Sequence, residues 1–516
     1  MGKTDDVEAG IKRSEAISEN SAEYFTGVVI HPTGFREYDV RWRMSNPVHV
    51  NYNGLTRVGQ AFGTLAREAQ PTNPCPPMVV GHDFRSYSQN VKNAFVVGLL
   101  SAGIDVIDIG LVVSPGLYFA QHHLGVPWGA MITASHNDNG WTGVKLAHGL
   151  SQTLGPNQIV TLRQLVDAGK FSTGAGKYRW VEKIREAYIE DLGRRARPQR
   201  PLRVVVGTGN GTAGWFTPDA FRRAGHEVIG VETHLDWNFP SFNPNPENVE
   251  FMHSIGAAVR EHNADLGIGI DGDGDRVGVV DDRAREVFSD KAALLMAREL
   301  LSERDGAKGT TFVVDVKSTN LFEMLLEPLG ARIVWEKTGH SYIKAGVARE
   351  NAVAGFERSG HFFFTPPLGR GYDDATLSGL IFAAMLSRQS IPLSEWLDQL
   401  PNSYQSPNMQ PRCADEVKLR VVDQLRLNYE QDMREKRPIA GHYITRVVTI
   451  NGIRAHFDDG SWFLVRASSN IPALVVLGES FTDRRRLHTM MEEVIDRLAK
   501  FPEVGEYDQK MPLLTD

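Results

Sequence analysis

Three aspartates alternate with glycines in Asp271-Gly272-Asp273-Gly274-Asp275-Arg276, directly after the apolar run Leu266 to Ile270. Glycine between carboxylates lets a chain bend sharply enough to aim several oxygens at one point. Carboxylate oxygens are hard ligands of the kind Mg²⁺ takes. Three of them close together repel strongly unless a cation sits among them. The plainer reading is an Asp-Gly turn between strands, because Val277 to Val280 is strand-like again. An EF-hand does not fit: its sixth position needs Gly and holds Arg276, and its twelfth needs Glu and holds Asp282.

A second group is Thr133-Ala134-Ser135-His136-Asn137, followed by Asp138-Asn139-Gly140-Trp141-Thr142-Gly143-Val144-Lys145. The apolar approach Trp128 to Ile132 would present the Ser135 hydroxyl at a strand end. A serine needs activation to act as a nucleophile, and His136 and Lys145 could manage its proton and charge. Asn and Gly turn chemistry explains the same residues. The G-x-S-x-G spacing of a hydrolase elbow is absent here. Gly355-Phe356-Glu357-Arg358-Ser359-Gly360-His361 offers acceptor, donor and ionisable groups suited to a polyhydroxylated ligand. Arg466-Ala467-Ser468-Ser469-Asn470 sets one guanidinium beside hydroxyl and amide donors, which suits a phosphate because Arg meets phosphate bidentately. Either stretch also reads as an ordinary polar loop.

The elements that must carry these loops share a grammar. Met78-Val79-Val80 runs into Gly81-His82-Asp83, Val204-Val205-Val206 into Gly207-Thr208-Gly209-Asn210, and Phe312-Val313-Val314 into Asp315-Val316-Lys317-Ser318. Each reads as a strand buried on both faces, ending in a polar loop with a helix beyond. Three such units more than a hundred residues apart predict three α/β domains. The tail differs. Predicted strands Val417 to Arg420, His442 to Ile450, Ile453 to Phe457, Trp462 to Arg466 and Ala473 to Gly478 precede a helix from about Asp483, which predicts a smaller α+β domain. At 516 residues, 41% hydrophobic and 23% charged, the chain can build several full cores. Lys plus Arg number 56 against 63 Asp plus Glu, which removes the electrostatic motive for nucleic-acid binding. Two cysteines, Cys75 and Cys413, are too few for a disulfide framework and suit a reducing compartment. The most apolar stretch, Ala94 to Val113, contains Asp105 and Asp108 and is too polar to span a bilayer. Residues 1–23 are polar, without a signal-peptide core, and are predicted to be a mobile leader. The expectation is a cytoplasmic protein with no membrane partner.

Taken in order, these segments resemble the α-D-phosphohexomutase family, and within it the bacterial phosphomannomutase/phosphoglucomutase group. Phe35-Arg36-Glu37-Tyr38-Asp39-Val40-Arg41 is similar to the family's opening F-R-x-Y-D-I-R. The Ser135 loop, the triple-Asp loop, Lys337-Thr338-Gly339-His340-Ser341 and the Glu357 loop follow in family order. The resemblance implies three related α/β domains and a smaller C-terminal α+β domain around a central cleft, with boundaries expected at 24–175, 176–285, 286–402 and 403–516. It implies that Ser135 is a phosphoserine and that Asp271, Asp273 and Asp275 hold Mg²⁺ beside it. Arg276 would stabilise the transferring phosphoryl group, with Lys145, His136 and Arg41 as candidates for moving the hydroxyl proton. Tyr38, Lys337, Glu357, Ser359 and His361 would meet the sugar. Arg466, Ser468, Ser469 and Asn470 would hold the phosphate that is not reacting. The implied reaction interconverts hexose 6-phosphate and hexose 1-phosphate (mannose, also glucose) through a 1,6-bisphosphate, with glucose 1,6-bisphosphate as activator. The expected assembly is a monomer or small homo-oligomer.

Three features depart from the family pattern. Ser469-Asn470-Ile471-Pro472 lacks the usual Thr and Glu of the clamp, Gly207 and Thr208 replace an Asp, and Phe356 and Arg358 stand where small or uncharged residues are common. The second reads as structural, and the third leaves substrate preference open, with phosphoglucosamine mutase as an alternative. A metal-dependent sugar phosphatase is a second one, and a sugar-phosphate-binding scaffold without catalysis a third.

Overall fold

The computed structural model describes residues 11–12, 25–45, 47–71, 75–303, 309–468, 471–509 and 511. The predicted leader lies outside these residues apart from Ile11 and Lys12. The chain divides into two compact units, one of Met1–Ala292 with Ser359–Ser394 and one of Ala293–Arg358 with Glu395–Asp516.

The first unit holds two mixed sheets. In the first sheet the order is Val40–Arg43, Trp141–Gly149, Trp128–Ile132, Met78–His82, Val106–Leu111 and Tyr178–Trp180. Met78–His82 pairs in parallel with both Trp128–Ile132 and Val106–Leu111. Met78, Val79 and Val80 are wholly buried, as a β-branched run covered on both faces must be. One core joins this sheet to helix Tyr52–Ala69 through Leu55, Val58, Phe62 and Leu65, and to helix Ser88–Ser101 through Val91, Phe95 and Leu99. Those spacings of three and four place each set on one helical face. Phe62 stands edge-on to Trp128 at 5.7 Å, and truncating a buried phenylalanine of this kind to Ala costs about 3–5 kcal/mol.

The second sheet runs Glu227–Val231, Arg203–Gly207, Leu266–Ile270, Val277–Val280, Glu286–Val287. Leu266–Ile270 and Val277–Val280 form an antiparallel hairpin. The triple-Asp segment is therefore a turn between strands and a carboxylate cluster at once.

In the second unit, Thr311–Asp315 lies between Arg332–Glu336 and Ala354–Phe356, both parallel to it. The C-terminal sheet is antiparallel, in the order Tyr404–Gln405, Leu474–Ser480, Trp462–Ala467, Ile453–Phe457, Ile444–Val448. Helices Asp415–Arg434 and Arg484–Leu498 share its core. The predicted strand Val417 to Arg420 is instead part of helix Asp415–Arg434. Asp415 and Glu416 favour a helix N-terminus, and Val421, Leu425 and Tyr429 are buried at a spacing of four. This longer helical period outweighs the β preference of the single Val417. Among the described residues no helix is long and apolar enough to cross a membrane.

Candidate active site

Adjacent parallel strands deliver the Asp83 and Ser135 loops to one place. Trp128–Ile132 runs into Thr133-Ala134-Ser135, and the backbone N–H of Asp83, just past Met78–His82, donates to the Ile132 carbonyl at 2.9 Å. Ser135 has φ +53°, left-handed backbone that costs a non-glycine residue roughly 1–3 kcal/mol and needs support from its surroundings. Some of that support is local: the Ser135 N–H donates to Thr133 Oγ1 at 2.8 Å. The triple-Asp turn comes up against this loop. A Cβ on Gly272 would lie 2.8 Å from the Ser135 carbonyl oxygen, so only glycine permits the approach.

Asp271 organises its own turn. Its Oδ1 accepts from the backbone N–H groups of Gly274 (3.0 Å), Asp275 (2.9 Å) and Arg276 (3.1 Å). Its Oδ2 accepts from the Ser135 hydroxyl at 3.4 Å. Asp273 Oδ2 accepts from Ser114 Oγ at 2.6 Å and from Lys145 Nζ at 2.8 Å, and Lys145 pairs with Asp275 as well. The three carboxylates are buried, with one oxygen of each within 4.8 Å of the others. Asp273 Oδ1 and Asp275 Oδ1 are buried and have no hydrogen-bond partner among the described residues. Burial and the charges of Asp275 and Asp273 push the Asp271 carboxyl well above its ordinary range. Two orphaned anionic oxygens beside a strained third carboxylate fit a divalent cation, which would relieve both conditions.

The same unit gathers the charged partners. Burial, and then the Arg276 and Arg41 charges, hold His136 well below its ordinary pKa. Its Nδ1 lies 3.1 Å from Ser135 Oγ. Burial opposes the charge of Lys145, but Asp273 and Asp275 outweigh it and raise its pKa well above the usual value. Burial would raise Asp273, yet its pairing with Lys145 and the Ser114 hydrogen bond hold it low. Arg41 donates to Asn137 Oδ1 (2.6 Å) and Asp39 Oδ2 (2.8 Å). Arg276 Nε–H donates to His361 Nε2 at 3.1 Å, and His361 Nδ1 lies 3.0 Å from Asp373 Oδ2. Tyr38 is half-buried close enough to act electrostatically on Arg41.

Four segments of the chain match one family in order. Residues 32–173, 180–284 and 288–404 match the three phosphoglucomutase/phosphomannomutase alpha/beta/alpha domains I, II and III, and residues 416–497 match the C-terminal domain. The phosphomannomutase/phosphoglucomutase of Pseudomonas syringae pv. tomato is 32% identical over 88% of this chain and 92% of its own length. The chain belongs to the phosphoglucomutase/phosphomannomutase family. The phosphoglucomutase of Neisseria gonorrhoeae is 30% identical over 90% of this chain and 96% of its own length. A crystal structure of a phosphoglucomutase/phosphomannomutase family protein from Burkholderia thailandensis superposes with a TM-score of 0.82 at 29% identity, covering 92% and 99% of the two chains.

The remaining residues singled out by family resemblance fall into both units. The Glu357 loop passes from one unit to the other between Arg358 and Ser359. Ser359 and His361 belong to the first unit, and both are buried. Lys337, Glu357, Arg466 and Ser468 belong to the second. Asp315, at the end of Thr311–Asp315, ties the Glu357 loop to its neighbours by accepting from Ser318 Oγ (2.6 Å), Thr338 Oγ1 (3.1 Å) and the Arg358 N–H (3.2 Å). Phe356 is no part of a ligand surface. It is fully buried, with its ring 6.1 Å from Phe312 and 6.0 Å from Phe322. Arg466 and Ser468 are buried at the end of Trp462–Ala467, whereas Ser469 and Asn470 lie outside the described residues. Sequence reading missed Ser114, Arg85, Asp315 and Asp373. Of these only Arg85 carried a usable signal, an Asp-x-Arg directly after a strand.

Proposed function

We propose that this family member interconverts hexose 6-phosphates and hexose 1-phosphates, of mannose and of glucose, by way of a phosphoserine at Ser135. The observation that carries the reading is the Ser135 hydroxyl itself, held in left-handed backbone 3.1 Å from His136 Nδ1 and 3.4 Å from Asp271 Oδ2. With phosphate on Ser135, a sugar hydroxyl oxygen bonds to phosphorus as the bond from phosphorus to Ser135 Oγ breaks. The hydroxyl proton has to leave, and Ser135 Oγ has to gain one. His136 is placed for both tasks, with its Nδ1 3.1 Å from Ser135 Oγ. Lys145, paired with two carboxylates, remains an ammonium and contributes charge instead. Arg276 would meet the phosphoryl oxygens. Asp271, Asp273 and Asp275 would hold Mg²⁺, which when bound supplies charge stabilisation to the phosphoryl group.

Return of the other phosphoryl group to Ser135 requires the bisphosphate to present its opposite end. Arg466 and Ser468 suit a hold on the phosphate that is not reacting, and the polar groups of Glu357 and Lys337 in one unit, and of Ser359 and His361 in the other, are of the kinds that bind sugar hydroxyls. Acceptance of both epimers is supported by the dual name of the Pseudomonas syringae relative. Ser135→Ala tests the reading. Turnover of glucose 1-phosphate and mannose 1-phosphate should vanish, and peptide mapping should find phosphate on the Ser135 peptide of the unsubstituted protein only. Near-normal turnover in that variant would end the proposal.

A further inference from the structure

The geometry points to Arg85 as the residue that positions the Ser135 loop for phosphoryl transfer. It acts through the backbone and does not touch substrate. Arg85 follows Met78–His82 by three residues, on the strand next to the one that leads into Ser135. Its Nη2 donates to the Ser135 carbonyl at 2.9 Å and to the Asn137 carbonyl at 2.5 Å, and its Nη1 to the Asp138 carbonyl at 3.0 Å. One guanidinium therefore spans the loop from the reacting residue to its far bend. Asp83 steadies it: Oδ2 lies 3.3 Å from Arg85 Nε and also accepts from the Ala134 N–H at 3.4 Å. The Phe239 ring lies 5.2 Å from the guanidinium carbon.

Arg85 and Asp83 are both almost wholly buried. An arginine has five N–H donors, and here three bonds go to carbonyls while the Nε edge faces Asp83. Turning the Nη2 edge to a phosphate would mean giving up the Ser135 and Asn137 carbonyls. The left-handed Ser135 backbone needs a restraint of this kind, since nothing in a serine's own preferences would hold it there. Lysine at this position would keep the charge beside Asp83, but a single ammonium cannot reproduce a planar fork across three carbonyls.

This inference rests on the phosphoserine reading, so the test separates the two. The full-length Arg85→Lys and Arg85→Ala variants are compared with unsubstituted protein for kcat, KM, melting temperature and the rate at which glucose 1,6-bisphosphate phosphorylates Ser135. Displacing the reacting oxygen by about an ångström lowers kcat roughly a hundredfold in Arg85→Ala and about tenfold in Arg85→Lys, with KM within about threefold in both. Phosphorylation of Ser135 should slow in parallel, while Arg85→Lys should melt close to the parent. Should Arg85→Ala not fold, Arg85→Lys decides alone. Unchanged kcat in Arg85→Lys would overturn the inference, as would a rise in KM at constant kcat, which would make Arg85 a substrate ligand. Unsubstituted protein that never carries phosphate on Ser135 would instead remove the phosphoserine reading.

Discussion

Gly272→Ala changes none of the chemical groups and should still cripple the enzyme. The added Cβ would sit 2.8 Å from the Ser135 carbonyl oxygen and 3.4 Å from the Pro244 side chain. Ordinary carbon–oxygen contact begins about 0.6 Å further out, so one of the two loops must shift by about that amount. Overpacking of this kind costs about 1–3 kcal/mol. Ser135 Oγ already stands 3.4 Å from Asp271 Oδ2, and the added displacement would take it out of hydrogen-bond range. Misplacement approaching an ångström costs up to about a hundredfold in rate, so kcat should fall between about tenfold and a hundredfold. Gly125→Ala is the matched control. Gly125 ends helix Ser114–Leu124 at φ +68° with nothing within 4 Å of an added Cβ, and left-handed backbone costs alanine about 1–2 kcal/mol. In a unit of about 330 residues, 2 kcal/mol lowers the melting temperature by about 3 °C. Both variants should therefore melt a few degrees early, and only Gly272→Ala should lose turnover. Steady-state kinetics on glucose 1-phosphate beside calorimetric melting reads both quantities. Full activity in Gly272→Ala would refute the idea that the two loops must meet at this spacing. Equal losses in both variants would show that activity follows overall stability.

Asp273→Asn removes the charge of one orphaned oxygen, so thermal stabilisation by Mg²⁺ should largely disappear. At a hundred times its dissociation constant Mg²⁺ adds about 2.7 kcal/mol, and a hundredfold weaker site retains about 0.4 kcal/mol. Calorimetry of chelator-treated protein with and without Mg²⁺ checks this, and an undiminished shift would exclude Asp273 as a ligand. Mannose 1-phosphate and glucose 1-phosphate should differ in kcat/KM by less than roughly a hundredfold, about 2.7 kcal/mol, because Phe356 is buried in the core and cannot read C2, and one guanidinium nitrogen of Arg358 is already engaged. Arg358 Nη1 donates to the Lys317 carbonyl at 3.4 Å, and side-by-side kinetics showing strict selection of one epimer, or preference for glucosamine 1-phosphate, would contradict this. His456 is buried and accepts from Arg454 Nε at 3.2 Å, with its pKa pushed down to about 2 by burial and the two arginines Arg454 and Arg446. The folded state keeps it neutral while the unfolded chain protonates below about 6.5, so stability present above that pH is lost as pH falls toward 2. Denaturant melts at pH 6.5 and 4.5 should show about 2–3 kcal/mol less of this loss in His456→Gln, and equal losses would count against it.

Short-range chemistry was legible in the sequence because neighbours along a chain stay neighbours in any fold. Asp271 caps its own turn with the N–H groups of residues three to five positions on, so the alternating Asp-Gly pattern carried its meaning locally. The buried strands Met78–His82, Arg203–Gly207 and Thr311–Asp315 announced themselves by composition, since a strand covered on both faces has few residues to choose from. Val417 misled because one β-branched residue says less than the helical spacing that follows it.

What tertiary structure decided involves partners far apart in sequence. Arg85 reaches the Ser135 carbonyl across 50 residues, and Ser114 reaches Asp273 across 159. Neither spacing leaves a periodic trace, because the sheet order that closes those distances is set by the pooled burial of many strands rather than by the two residues concerned. Phe356 shows the same limit from the other side. It sits inside a polar, ligand-like motif, yet the alternation of side chains along Ala354–Phe356 turns it into the core between Phe312 and Phe322. Two aspartate oxygens without hydrogen-bond partners among the described residues likewise exist only once the loops have met and water has been excluded. The residue types that could bind a metal belong to the sequence, but the unsatisfied charge that calls for one is a property of the fold.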